Sequence, residues 1–573
     1  VSFVEDCAVP LEYLAEYTQG LTRIFEKYNT SGTWYAHASV GCLHVRPLLN
    51  MKLGEDAEKM RSIATEAFAL VKAYGGSHSG EHGDGISRSE FNPIMFGKQL
   101  TNAFKELKRI LDPDGLFNPG KIIDAPEMNA RDLFRFAPGY KVDDFETALD
   151  WSLWPGNAGG FQGAVEMCNN NGVCRKLKGG VMCPSFRATR EEKDSTRGRA
   201  NTLRLAISGQ LGPDAMTSDA MADTLTLCVS CKACKRECPT GVDMAAMKVE
   251  LTALRTQAKG LSFHDRLIAY LPKYAPMVAR FASIANLHDK IPGLAWFTSK
   301  ITGFTSKRPL PRWRRDWFRD GELKPNPQGQ NPVILFIDTF SRYFEPENLR
   351  SAVRVLESAG YSVFVPVSKG PGDKPLCCGK THLSTGNIEQ ARQSGKRLIE
   401  TYAPYALAGI PIVGLEPSCL FALKDELPSL LTMKEARAVA EQALTFEELL
   451  IQDNAELPLN PLRAKALLHG HCHQKAYDAM APVEAVLKMI DGLEVSTIET
   501  SCCGMAGAFG YGKDTYDVSQ KMAEADLLPK VRSAPEDTII IADGTSCRSQ
   551  IKDGTQRSAV HVARLLDQQL QDH

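Results

Sequence analysis

Neither sign of charge is in excess in this sequence: 67 basic residues against 68 acidic ones leave a formal net charge of −1. That balance removes the electrostatic footprint expected of a protein whose main partner is nucleic acid or an anionic membrane surface. No uncharged apolar run reaches the length needed to cross a bilayer, which excludes a spanning helix within the sequence. The first residues, Val1-Ser2-Phe3-Val4, already read as a strand, so the chain is expected to be the later part of a longer protein. What the sequence does have is sixteen cysteines in 573 residues. Their spacings and adjacent pairs suit thiolates kept reduced rather than disulfides, which points to the cytoplasm. The length predicts roughly three to four ordinary domains.

The strongest signal is Cys228, Cys231, Cys234, Cys238 and Pro239, the spacing C-x2-C-x2-C-x3-C-P. Three thiolates so spaced wrap one iron–sulfur cube from a short loop, and the fourth, followed by proline, points to a neighbouring cluster. Upstream stand Cys168, Cys174 and Cys183, the last again followed by proline. A structural zinc site is the competing reading, but zinc needs neither the third and fourth cysteines nor the proline. With ligands exchanged between half-sites, Cys183, Cys228, Cys231 and Cys234 make one complete 4Fe-4S site. Cys168, Cys174 and Cys238 are left as three ligands, because Asn171 stands where a further cysteine is expected. That second site would be a 3Fe-4S cluster, a 4Fe-4S cluster with a non-cysteine ligand, or absent.

Near the start, Trp34 to His37 and Leu43 to Val45 read as two strands turning at Gly41, which would bring His37 and His44 together. A glycine-rich run from Gly75 to Gly85 carries His78, Glu81, His82 and Asp84. Glycines beside histidines and carboxylates imply backbone packed against a ligand. Two imidazoles and a carboxylate suit a divalent metal that polarises a substrate oxygen.

Together with Phe3-Val4-Glu5-Asp6 and the stretch from Leu111-Asp112-Pro113 to Asn118-Pro119-Gly120-Lys121, these motifs resemble the C-terminal domain of FAD-linked oxidases. This vanillyl-alcohol-oxidase-like group includes D-lactate, glycolate and D-2-hydroxyglutarate dehydrogenases. The resemblance implies that His37, His44 and Glu81 ligate a divalent metal, zinc or manganese, and that His82 is the catalytic base. Arg46 falls at a substrate-contacting position where the D-2-hydroxyglutarate enzymes carry asparagine; an arginine there would clamp a carboxylate. Asn118 matches a position beside the flavin of FAD, whose binding domain lies upstream in that family.

Beyond a connector rich in Gly and Trp at 151–160, Ser195-Thr196-Arg197-Gly198-Arg199 follows the first half-site. Arg197 and Arg199 read equally as a solvated face or as cations offsetting a thiolate-ligated cluster. Residues 261–330 mix broken helical patterns with the basic, aromatic run Arg312 to Arg319. This stretch is expected to be a charged linker, with contact to a membrane surface as the sharper alternative.

From 331 onward the pattern is strand, helix, strand: Val333 to Ile337, Pro346 to Ala359, Ser362 to Val367, a βαβ unit of a parallel sheet. Cys377-Cys378-Gly379 and Cys502-Cys503-Gly504 lie 125 residues apart, with Cys419 following the first and Cys547 the second, and Cys472 opening the second unit. The segment therefore reads as an internal duplication. It resembles the cysteine-rich CCG domains of heterodisulfide reductase and of iron–sulfur glycolate and lactate oxidase subunits. The cysteines suit a metal cluster or redox thiols, and His471 and His473 are candidate extra ligands or packed loop residues.

The fold class expected is multidomain α+β and α/β. A C-terminal oxidase domain (1–128) precedes a helical ferredoxin-like domain (129–260), a helical basic linker (261–330) and a duplicated cysteine-rich domain (331–573). The order implies oxidation of a small D-2-hydroxy acid, D-2-hydroxyglutarate first and D-lactate or glycolate next. Electrons would pass singly through clusters to an external acceptor, a quinone or an electron carrier. A non-catalytic electron-transfer subunit resembling heterodisulfide reductase is the reading from a different class. The protein is expected to be a homo-oligomer, cytoplasmic or peripheral at the inner membrane.

Overall fold

A computed structural model describes residues 1–324, 330–368 and 375–571. It divides into two compact units, Val1–Lys141 and Val142–His573. The end of the expected linker, 325–329, lies outside the described residues.

In the first unit, strands β1 (Cys7–Ala8), β2 (Gly32–His37) and β3 (Cys42–Pro47) form an antiparallel sheet in the order β1-β3-β2. Apolar residues of β1 and β3 pack with Tyr17, Leu21 and Phe25 of one helix and Ile63, Phe68 and Val71 of another. The unit extends past the expected limit of 128 because the tail folds back on it. The Asn129 amide reaches Glu58 at 2.8 Å, and Arg131 donates to the Lys52 carbonyl at 2.9 Å.

The second unit begins with small helices around the cysteine half-sites. The Gly- and Trp-rich connector is pinned there by Glu250, whose buried carboxylate accepts from the Ala148 and Leu149 amides and the Trp151 indole. Two four-stranded parallel sheets follow. One contains β4 (Pro332–Phe336), β5 (Ser362–Phe364), β6 (Ile412–Gly414) and β7 (Ala443–Thr445), in the order β5-β4-β6-β7. The other contains β8 (Ala464–Leu468), β9 (Leu493–Thr497), β10 (Ile539–Ile541) and β11 (Ala559–Val560), in the order β11-β10-β8-β9. Read from the opposite edge, the second order repeats the first, so the duplication is one of topology as well as of triplets. Val333, Leu335, Leu468, Ile541 and Leu566 belong to a single apolar core shared by the copies. The helices interlock in a reciprocal way: Pro346–Ser358 of the first copy packs on Val562–Gln569 of the second, and Met480–Leu487 of the second on Phe446–Gln452 of the first.

The described part of the expected linker is not a solvated tether. Phe318 is buried in the shared core, and Arg308 is buried with Nη2 on Gln550 at 2.6 Å and Nη1 on the Gly510 carbonyl at 3.0 Å. Its partners lie some two hundred residues away in sequence, beyond the reach of any local pattern. No described helix is long and apolar enough to cross a membrane.

Candidate active site and thiolate sites

The first site grows from strand register. Tyr35 pairs with His44 and His37 with Cys42, so His37, His44 and Arg46 share one face of the two-stranded ribbon. The glycine-rich run is laid across it by two backbone bonds between Ala8 and Ser77, each 2.9 Å. Gly76 is required there, since a Cβ would lie 2.2 Å from the Ala8 carbonyl oxygen. Glu81 then reaches both imidazoles, at 3.5 Å from His37 Nε2 and 3.4 Å from His44 Nε2. One ligand atom from each of the three lies within 4.8 Å of the others, a spacing that can hold a metal ion. His44 Nδ1 donates to the Glu5 carbonyl at 2.7 Å, which leaves Nε2 as the lone-pair nitrogen aimed at Glu81.

His82 stacks on His44 with ring centroids 5.0 Å apart and sets Nε2 2.9 Å from Glu81. Arg46 lies on the same ribbon face, its Nε on Glu5 at 3.0 Å and its guanidinium 5.1 Å from the Tyr35 ring centroid. Asn118 sits apart, in an exposed loop with φ 46°, shaped by Asp112 accepting from the Leu116 and Phe117 amides. His78 is buried against Phe68, with 5.2 Å between ring centroids, and packs as a core residue.

The residue that organises this site is Asp6, to which sequence reasoning assigned no role. Fully buried, it accepts from Ser79 Oγ at 2.8 Å, the Glu81 amide at 3.0 Å and the His82 amide at 2.9 Å, with Arg88 at 3.5 Å. Burial pushes its carboxyl up, but these donors outweigh that and hold it below the ordinary carboxylate range. The available signal was its adjacency to Glu5 in the motif that begins the chain.

In the second unit, Cys183, Cys228, Cys231 and Cys234 line one small cavity together with Arg199 and Lys232. These are the four cysteines that exchange between half-sites assigns to one cluster. The loop closes round the cavity by placing Ser230 and Lys232 at φ 50° and 60°. The Thr196 amide donates to Cys183 Sγ at 3.2 Å, and the Arg197 amide to Cys174 Sγ at 3.4 Å. Buried thiols with backbone donors fit a thiolate-ligated cluster. The two arginines part company here. Arg199 is buried on the cavity wall and so is not part of a solvated face, whereas Arg197 pairs with Glu192 at 2.7 Å. Cys174 lies against Cys183, while Cys238 ends a short helix 3.4 Å from Thr240 Oγ1.

Lys232 fastens this loop to the cysteine-rich repeats. Only 3% exposed, it meets Asp425 and, at 2.9 Å, Glu426, while Lys235 reaches Asp425 at 2.6 Å. Lys232→Ala would strip one cation from two buried carboxylates, leaving Asp425 to Lys235 and Tyr477 and Glu426 to Lys380. A loss of about 3 kcal/mol, the low end for a broken buried pair, is expected in denaturant unfolding. Both carboxyls are held low against the burial that opposes it, by Lys232 first. The clamp is therefore complete above the ordinary carboxylate range, near pH 4, and is lost as pH falls below it. Wild type and variant should converge in acid; a gap unchanged by pH would argue against the ion pair.

Each repeat gathers its own cysteines at its strand ends. In the first, Cys377 contacts Cys378, which contacts Cys419. In the second, Cys472 contacts Cys502, Cys502 contacts Cys503, and Cys503 contacts Cys547. The two triplets fold alike: Gly379 and Gly504 take φ 79° and 83°, and each glycine amide donates to the first cysteine of its triplet at 3.4 Å. Thr339 starts the helix after β4 as Cys472 starts the one after β8. His471 caps that second helix by accepting from the His473 amide at 3.1 Å, and His473 Nε2 donates to the Ser230 carbonyl at 3.1 Å. His469, which sequence reasoning passed over, ends the strand instead, with ligand atoms of His469, Cys503 and Cys547 within 4.8 Å of one another.

Comparison with known families now fits this geometry. Residues 1–122 match the C-terminal domain of FAD linked oxidases, 164–242 the 4Fe-4S dicluster domain, and 339–424 and 466–552 the cysteine-rich domain. The chain carries these three domains in series. It is 28% identical to a D-2-hydroxyglutarate dehydrogenase of Pseudomonas putida over 99% of its own length and 59% of the relative's. With that of Escherichia coli K12 it shares 25% identity over 96% of its length and 57% of the relative's. It is also 27% identical to one component of the anaerobic glycerol-3-phosphate dehydrogenase of Escherichia coli K12, over 51% of this chain and 73% of that component. The chain thus spans less than two thirds of the D-2-hydroxyglutarate dehydrogenases it matches. The matched domains tie it to FAD and iron–sulfur chemistry, and the mixed helix and sheet architecture is the one the sequence led us to expect.

Proposed function

We propose that the full-length protein is a FAD- and iron–sulfur-dependent dehydrogenase of D-2-hydroxy acids, with D-2-hydroxyglutarate the preferred substrate and 2-oxoglutarate the product. The observation that carries this reading is the convergence of His37, His44, Glu81 and His82 on one ribbon face, fixed from behind by Asp6. His37, His44 and Glu81 would hold a zinc or manganese ion. When bound, such an ion supplies charge that polarises the substrate hydroxyl, and FAD supplies the hydride acceptor. His82 takes the hydroxyl proton. Arg46 steers a substrate carboxylate, exchanging its contact with Glu5 for one with the ligand. Cys183, Cys228, Cys231 and Cys234 would hold a 4Fe-4S cluster, which when bound would supply one-electron transfer toward an external acceptor.

A panel of D- and L-2-hydroxy acids with a dye acceptor tests this on the full-length protein. D-2-hydroxyglutarate is expected to reduce the dye fastest, ahead of D-lactate and glycolate. Reduction by none of them would favour an electron-transfer subunit. His82→Ala should abolish substrate-dependent flavin reduction with flavin content unchanged; near-normal reduction would remove His82 from the mechanism.

A further inference from the structure

We propose that the second cysteine-rich repeat alone holds a metal centre, an iron–sulfur centre to which His469 contributes an imidazole in place of a missing thiolate. The inference rests on reading the chain as an electron relay, and it names the ligands of the relay's last site.

The shared topology allows the repeats to be compared position by position. Leu335 pairs with Val413 as Leu468 pairs with Ile541, and all four side chains lie in the shared core. The next residues, Phe336 and His469, therefore occupy the same place, and three residues further on Thr339 and Cys472 start their helices. Phe336 is buried in an apolar cluster with Cys378 and Cys419. His469 is 1% exposed, and neither of its ring nitrogens finds an oxygen or nitrogen hydrogen-bond partner among the described residues. An unpaired buried polar group costs about 1–3 kcal/mol, so the ring's position calls for a partner. What it faces is sulfur, Cys503 and Cys547. Cys472 and Cys502 extend the same group, and all four cysteines are buried. Four thiols and a neutral imidazole form a donor set for a soft, thiolate-ligated metal.

The first repeat has lost both ends of this arrangement. Phe336 replaces the imidazole and Thr339 the leading cysteine, leaving Cys377, Cys378 and Cys419. A buried carboxylate, Asp338, faces Cys419 and opposes the negative charge that a thiolate-bound centre would bring. The leading cysteine of the second repeat also lies beside the ferredoxin-like loop. His473, next to Cys472, donates to the carbonyl of Ser230, which lies between Cys228 and Cys231.

The test uses full-length protein reconstituted anaerobically with iron-57 and sulfide and labelled with nitrogen-15 histidine. Iron per chain by Mössbauer spectroscopy, together with pulsed paramagnetic resonance of the reduced protein, reads the ligands without any substrate turnover. We expect a histidine nitrogen coupling that His469→Ala removes together with the iron of one centre. His469→Cys should keep that iron and lose the coupling, which separates ligation from a folding defect. Cys503→Ala should lose the same iron, and Cys378→Ala should lose none. Unchanged iron in Cys503→Ala and His469→Ala, zinc in place of iron at this site, or iron loss in Cys378→Ala would each overturn the proposal. If no hydroxy acid is oxidised but these ligand assignments hold, the catalytic reading fails and this one stands.

Discussion

Asp6→Ala should lower substrate-dependent flavin reduction in the full-length protein by about 100-fold or more, although Asp6 meets no reacting atom. Its carboxylate fixes Ser79, Glu81, His82 and Arg88 at once. Without it, two backbone amides and a guanidinium lose their acceptor in a buried place, each at about 1–3 kcal/mol. The loop bearing Glu81 and His82 then shifts, and a displacement near 1 Å costs on the order of 100-fold in rate. Divalent metal content should fall in parallel, because Glu81 lies between the two histidines proposed to hold the ion. Asp6→Asn is nearly the same size, but its NH2 group would face donors, so it should share most of the defect. Rapid-mixing measurement of flavin reduction, with metal analysis of the same samples, decides the matter. Normal reduction with full metal would show that the loop holds its place unaided.

Cys183→Ala should remove one whole cluster, about four iron atoms per chain, while substrate still reduces the flavin. Cys183 is distant in sequence from Cys228, Cys231 and Cys234 but shares their cavity. Passage of electrons to a downstream dye should therefore stop in this variant, with the reduced flavin accumulating. Asn171→Ala, at the position where a cysteine is missing, should leave that cluster intact. Full iron content in Cys183→Ala would reassign the fourth ligand, and Cys174, which lies against Cys183, would be the first replacement to examine.

What the sequence made legible was whatever local spacing encodes. The C-x2-C-x2-C loop, the turn at Gly41 that sets His37 near His44, and the paired Cys-Cys-Gly triplets all have short-range signatures. Asp6 had only its adjacency to Glu5, because its role consists of accepting bonds from backbone amides more than seventy residues away. His469 was passed over for a related reason. His471 and His473 flank Cys472 and drew attention, yet both are spent on backbone bonds, one local and one to Ser230, while the histidine that follows the strand faces the thiols. The basic stretch before residue 330 misled in the opposite direction. Composition marked Arg308 and Phe318 as solvent-facing, and only partners from the second repeat and the shared core make them interior residues.

Metal often supplies the free energy that lets a small cysteine-rich domain fold. Here the apolar interior belongs to both copies jointly, with each copy's helix seated against the other's. Folding is thereby uncoupled from loading, so either half can shed its thiols over evolutionary time without collapsing. With the second repeat as the proposed metal site, the first half serves as a buttress that holds its neighbour in place.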